Sequence, residues 1–154
     1  MISSREIIEL NAGRAIDILV AEQIMGWQLE TDKPKLRRLQ RYFARDERRR
    51  WWRNPEGGWY CEPPAYSSDM IAAWQVVERL TSRGQVLFLS QSSEGSKIAF
   101  DEPCATSLDC VNEKSVTVAI CKAALIADVQ RAQAGIGIDP ILRSDLPVLA
   151  TALT

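Results

Sequence analysis

Apolar side chains recur at helical spacing in three stretches of this chain and are bracketed by turn residues in others. Over 3–25, Ile8, Ala12, Ala15, Ile16, Leu19, Val20 and Ile24 form one stripe, with Arg14, Asp17 and Glu22 outside it. Ser3 and Glu6 have capping-box spacing, and Gly26 is a fitting stop, so one first helix is expected, with Trp27 folding back on its end. Met70, Ile71, Trp74, Val77 and Leu80 predict a second helix over about 68–82, with Ser67, Ser68 or Asp69 as its cap and Arg83-Gly84 at its end. Val118, Cys121, Ala124, Leu125 and Val129 predict a third over about 116–134, capped by Ser115 or Thr117.

Between these lie the strand candidates. Residues 86–90 and 96–100 read as a hairpin around Gln91-Ser92-Ser93-Glu94-Gly95, and 59–62 as a short strand after the Gly57-Gly58 turn. Pro63-Pro64 makes a rigid corner before the second helix. Residues 30–57 form a polar insertion in which Leu36, Leu39, Tyr42 and Phe43 suggest a short basic helix over about 35–50. Residues 102–114 read as an irregular connection. The expected fold is α+β, a small antiparallel sheet packed with about three helices, with 1–134 as a single domain and 135–154 as a C-terminal arm that docks on the body or on a neighbouring subunit.

Composition narrows the function classes. The 154 residues, 46% hydrophobic and 25% charged, suit one globular domain. No apolar run reaches membrane-spanning length and the start lacks the order of a signal peptide, so a cytoplasmic protein with no membrane partner is expected. Four cysteines without a Cys-x-x-Cys pair, and no histidine, make a metal site improbable and favour buried, reduced thiols; no cofactor is expected. The absent histidine also removes Ser-His and Cys-His pairs, leaving carboxylate, lysine or tyrosine chemistry open but favouring a protein that is no enzyme.

Charge changes the picture most. Residues 33–53 hold ten basic side chains against Asp46 and Glu47, a local +8; the rest of the chain then carries nine basic and eighteen acidic residues, or −9. Arg48, Arg49, Arg50 and Arg53 surround Trp51 and Trp52, and Trp59, Tyr60, Tyr66 and Trp74 follow. Guanidinium forks grip phosphate and aromatic faces stack on bases, a combination suited to a nucleotide. The candidate ligand-binding residues are therefore Arg48, Arg49, Arg50, Trp52, Arg53, Trp59, Tyr66, Ser67 and Asp69. Core burial is the competing role for the tryptophans, and helix capping for Asp69. No catalytic set emerges from Asp69, Glu62 and Glu78.

Several of these stretches together resemble a family. Leu19-Val20-Ala21-Glu22, Met25-Gly26-Trp27, Trp52 with Trp59 and Cys61, Pro63-Pro64-x-Tyr66-Ser67-x-Asp69, Ala73-Trp74-x-Val76-Val77-Glu78 and Ala119-Ile120-Cys121-Lys122-Ala123-Ala124-Leu125 follow one another as in the phage ABA sandwich domain of small tailed-phage and prophage proteins, and are similar to the phage NinX-like proteins. The resemblance spans most of 5–130 and departs at the arginine-rich 35–50 and after Gly135. It implies an antiparallel sheet with packed helices, a phage origin and residence in the host cytoplasm. It brings no activity, since fold alone does not fix one.

The leading expectation is a non-enzymatic protein binding an anionic nucleotide-like small molecule, such as a host immune signalling nucleotide that it sequesters as an anti-defence sponge. The alternative is an interaction module that inhibits or recruits a host protein through the basic segment. Nucleic acid is a weaker candidate, because the acidic body would repel it. A homo-oligomer is expected.

Overall fold

The computed structural model of the protein describes residues 2–43, 50–101 and 111–134. The N-terminal stretch, expected as one helix, is two. α1 (Ser4–Glu9) carries the expected capping box, with Ser3 and Glu6 satisfying each other's backbone N–H groups. The chain then leaves helical geometry at Leu10 and restarts in α2 (Arg14–Leu19), which widens into a π-helical turn over Val20–Ile24. Gly13 makes the restart possible with φ 131°, a conformation only glycine adopts cheaply. The break rotates the two halves. Ile7 is buried while Ile8, Ala12 and Ala15 of the expected stripe are exposed, and Asp17, expected outside, is buried.

A small sheet follows, formed by β1 (Gln28–Leu29), β2 (Trp52–Arg53) and β3 (Trp59–Tyr60), all antiparallel. Only the third strand is legible as a sequence pattern; two-residue strands have no periodicity to read. α3 (Lys33–Phe43) lies in the β1–β2 connection, and the remainder of the helix expected over 35–50, including Arg48 and Arg49, falls outside the described residues.

α4 (Met70–Ser82) is capped by Asp69, whose carboxylate accepts the Ile71 N–H at 2.9 Å. Its buried face is Ala72, Ala73, Val76, Val77 and Leu80. Met70, Ile71 and Trp74, expected in the core, are exposed. Small residues win this face because α4 packs against α5 (Val116–Gln133), which brings its own Ala119, Ala123, Ala124 and Ala127. Two alanine-rich faces approach closely; a tryptophan there would hold them apart.

β4 (Val86–Ser92) and β5 (Gly95–Asp101) form the expected hairpin, closed by the two residues Ser93 and Glu94. β6 (Val111–Glu113) adds to the other side of β5, where an irregular connection is expected from the sequence; 102–110 and the 135–154 arm lie outside the described residues. A Cβ at Gly95 would stand 2.7 Å from the Glu113 carbonyl oxygen, so only glycine lets β6 close on this strand. Five helices and two three-stranded antiparallel sheets among the described residues make this an α+β fold, as expected, with more elements than the pattern showed.

α5 is the centre. It touches β5, β6, α1, α2, the π turn and α4, and is buried from Thr117 through Ala127 without a polar face. The stripe read from sequence is thus only part of what it buries. Ser115 stands at the cap position, but its hydroxyl pairs with that of Thr117 instead of capping the backbone. Lys122 is 3% exposed; its ammonium donates to the Ile8 carbonyl at 2.7 Å and pairs with the Glu113 carboxylate, fastening α1 and β6 to α5. No helix among the described residues is long and apolar enough to cross a membrane.

Candidate functional site

The candidate ligand residues divide among three environments. Ser67 is a structural knot. Its N–H donates to Asp17 Oδ1 at 2.7 Å, its hydroxyl accepts the Gly13 N–H at 2.9 Å, and its carbonyl accepts the Thr117 hydroxyl at 2.6 Å. With every polar group engaged and 1% exposure, Ser67 holds the 63–69 corner against α2 and α5 and faces no ligand. Asp69 is spent on the α4 cap.

Trp52 and Tyr66 are each 1% exposed, so neither offers a free face for stacking on a base. Trp52 points inward because paired residues of an antiparallel sheet share a face: Leu29, Trp52 and Tyr60 on one side, Gln28, Arg53 and Trp59 on the other. Tyr66 receives a hydrogen bond from the Trp27 side chain, and burial pushes its phenol well above the ordinary range, which keeps it protonated.

Arg50, Arg53 and Trp59 remain as an outward group. Arg50 and Arg53 are exposed, and the Arg53 guanidinium sits 5.8 Å from the centre of the Trp59 ring. The loop beneath them is tight, with Asn54 bonded to Gly58 both through its N–H at 3.0 Å and through its side-chain oxygen at 2.6 Å. On α3, Lys33, Lys35, Arg37, Arg38 and Arg41 are exposed and the helix has no carboxylate of its own. Among the described residues, Lys35 is the α3 cation that leans toward acids, at 4.0 Å from Glu30 and 3.9 Å from Asp32.

The opposite face of the small sheet borders a cleft of about 660 Å³. Trp27 and Tyr60 meet there in a tilted pair with ring centres 5.2 Å apart, beside the edge of Tyr66 and the Pro63-Pro64 corner. The π turn and the backbone bond from the Trp27 N–H to the Ala21 carbonyl at 2.9 Å deliver Trp27 to this position. Its charged lining is Glu56, Glu62 and Glu78 against Arg79 alone; Glu62 is also held by Arg14 at 2.6 Å. This cleft is therefore acidic, whereas the cations of α3 are exposed on the surface. The sequence pattern gives no hint of this segregation, except that Gln75, Glu78 and Arg79 share the polar side of α4.

Among the described residues no group of histidine, cysteine and carboxylate side chains could hold a metal. Cys121 is buried and Cys61 half-buried, neither in a disulfide, while Cys104 and Cys110 lie outside the described residues.

Compared with known proteins, the model of the phage ABA sandwich domain matches residues 18–125. A solved structure, the 2.0 Å crystal structure of a phage protein from Bacillus cereus ATCC 14579, is similar over 77% of this chain and 94% of its own, with 21% identity and a TM-score of 0.51. That likeness is one of fold. No curated protein matches.

Proposed function

The chain belongs to the phage ABA sandwich domain family, and from that premise we propose that it is a non-enzymatic binding protein whose basic face takes an anionic, nucleotide-like ligand. The carrying observation is the exposed Arg53 guanidinium over the Trp59 ring, with Arg50 and the cations of α3 also exposed in the same basic segment. A guanidinium already resting on an indole is oriented to meet phosphate, and Trp59, half-buried, would offer the exposed part of its ring for a base to stack on. Trp52, Tyr66 and Ser67 are buried and Asp69 caps α4, so these four would not touch the ligand. In a phage protein such binding would remove a host signalling nucleotide from circulation. Isothermal titration against cyclic nucleotides and ADP-ribose-type messengers tests this. Binding that weakens at least tenfold in Arg53→Ala and Trp59→Ala supports the reading; an absence of heat across the panel overturns it.

One observation favours a second reading, a module that binds a host protein. The cations project from an exposed helix, and the cleft beside Trp27 and Tyr60 carries three carboxylates against one arginine, a balance that would repel a nucleotide. An exposed basic helix suits an acidic protein surface, with steering that weakens as salt rises. A single stoichiometric partner captured at low salt, and lost when Arg37, Arg38 and Arg41 become glutamate, would select it over the first.

A further inference from the structure

Nine large hydrophobic side chains are exposed among the described residues, and six of them sit on two elements that pack together: Met70, Ile71 and Trp74 on α4, and Val86, Phe88 and Leu89 on β4. β4 is an edge strand, with β5 on one side and nothing among the described residues on the other. Natural edges are blunted by charge, proline or a bulge. β4, Val-Leu-Phe-Leu-Ser-Gln-Ser, has no charge and no proline, and its pairing with β5 runs through seven consecutive partners without a bulge. With Ser92 and Gly95 closing the two-residue turn as a hydrogen-bonded pair, alternate residues Leu87, Leu89 and Gln91 turn their backbone N–H and C=O groups to the free side.

We propose that this edge is the interface for a second copy of the chain, joined antiparallel through β4 so that the three-stranded sheet continues as six. An uncharged edge meets its own copy without like-charge repulsion, whereas it gives a charge-selected partner nothing to read. The strand's centre is Leu89, so a two-fold axis there pairs Leu89 with its counterpart and Leu87 with the copy's Gln91, the register that uses all seven residues. β4 is about 23 Å long at the usual rise. On α4, which contacts β4, Met70, Ile71 and Trp74 line a depression with Gln75 and Glu78, and covering these apolar side chains would add to the backbone pairing toward the area of stable dimers, on the order of 800 Å² per partner. This surface is independent of the basic face.

Analytical ultracentrifugation of the full chain from micromolar to submillimolar concentration tests the proposal. The expected species is twice the 17.3 kDa chain. Leu89→Lys, which places like charges opposite each other, and Trp74→Glu on the helix layer should each weaken the dimer at least tenfold while circular dichroism shows the native fold. A wild-type monomer over the whole range, with the edge covered by residues 135–154 or by an unrelated partner, overturns the proposal. So does an oligomer indifferent to both substitutions.

Discussion

Lys122 shows how one residue can bind a fold together at some risk. Its ammonium is buried with the Ile8 carbonyl and the Glu113 carboxylate as its partners, and Glu113 keeps some contact with solvent. Removing the acid strands a cation in the core, which costs more than removing the pair. Glu113→Ala should therefore destabilise the protein by about 3 kcal/mol in urea titrations, and Lys122→Met by clearly less. Cys121, on the same helix, sets a limit at alkaline pH. Burial, with the Asp17 carboxylate adding to it, pushes its thiol from an ordinary 9.0 to about 12. The native state then keeps a proton that the unfolded chain releases, so stability is unaffected below pH 9 and falls as pH rises toward 12, by at most about 1.4 kcal/mol per unit. Tyr66 acts in the same direction. Urea titrations between pH 8 and 10.5 should show the decline, and Cys121→Ala should flatten it without abolishing it. From the sequence, both cysteine burial and an inward Trp52 could be argued; that Lys122 lies inside could not, because its partners come from α1 and β6, elements remote in the chain.

At the scale of elements, the legible parts were those whose signal is local. The Ser3–Glu6 box, the Asp69 cap, the β4–β5 hairpin and the extent of α5 follow from spacing and turn chemistry. The misread parts depend on neighbours. Gly13 lies inside the stretch expected as one helix, yet its N–H is claimed by Ser67, 54 residues away, and the helix breaks there. Of the stripe expected on α4, Val77 and Leu80 are buried, but the contact with α5 takes Ala72, Ala73 and Val76 in place of Met70, Ile71 and Trp74. β6 was missed because three residues carry no period. Gly95 exemplifies a constraint set by such a neighbour: Gly95→Ala would drive a methyl into the β6 backbone at 2.7 Å. The expected loss is about 2 kcal/mol, seen in thermal or urea unfolding, with α5 helicity retained until the transition.

For the whole molecule, the sequence showed a division of charge but not where each half would lie. The basic segment became an exposed helix with an outward arginine pair, and part of the surrounding acid gathered in the cleft behind the small sheet. The candidate ligand residues, adjacent in sequence, were dealt to opposite faces by the strict alternation of β2 and β3, which no composition argument can anticipate. The fold was thus more legible than the site. The tie between Lys122 and Ile8 spans 114 residues. A chain made at 5–20 residues per second needs about 6 to 23 s between the two. During that interval α1 has no α5 to dock on, so it waits for α5 as part of an unfinished nascent chain. The domain can close only once α5 has been made, and a chain released before that point lacks the helix on which α1, α2, α4, β5 and β6 pack.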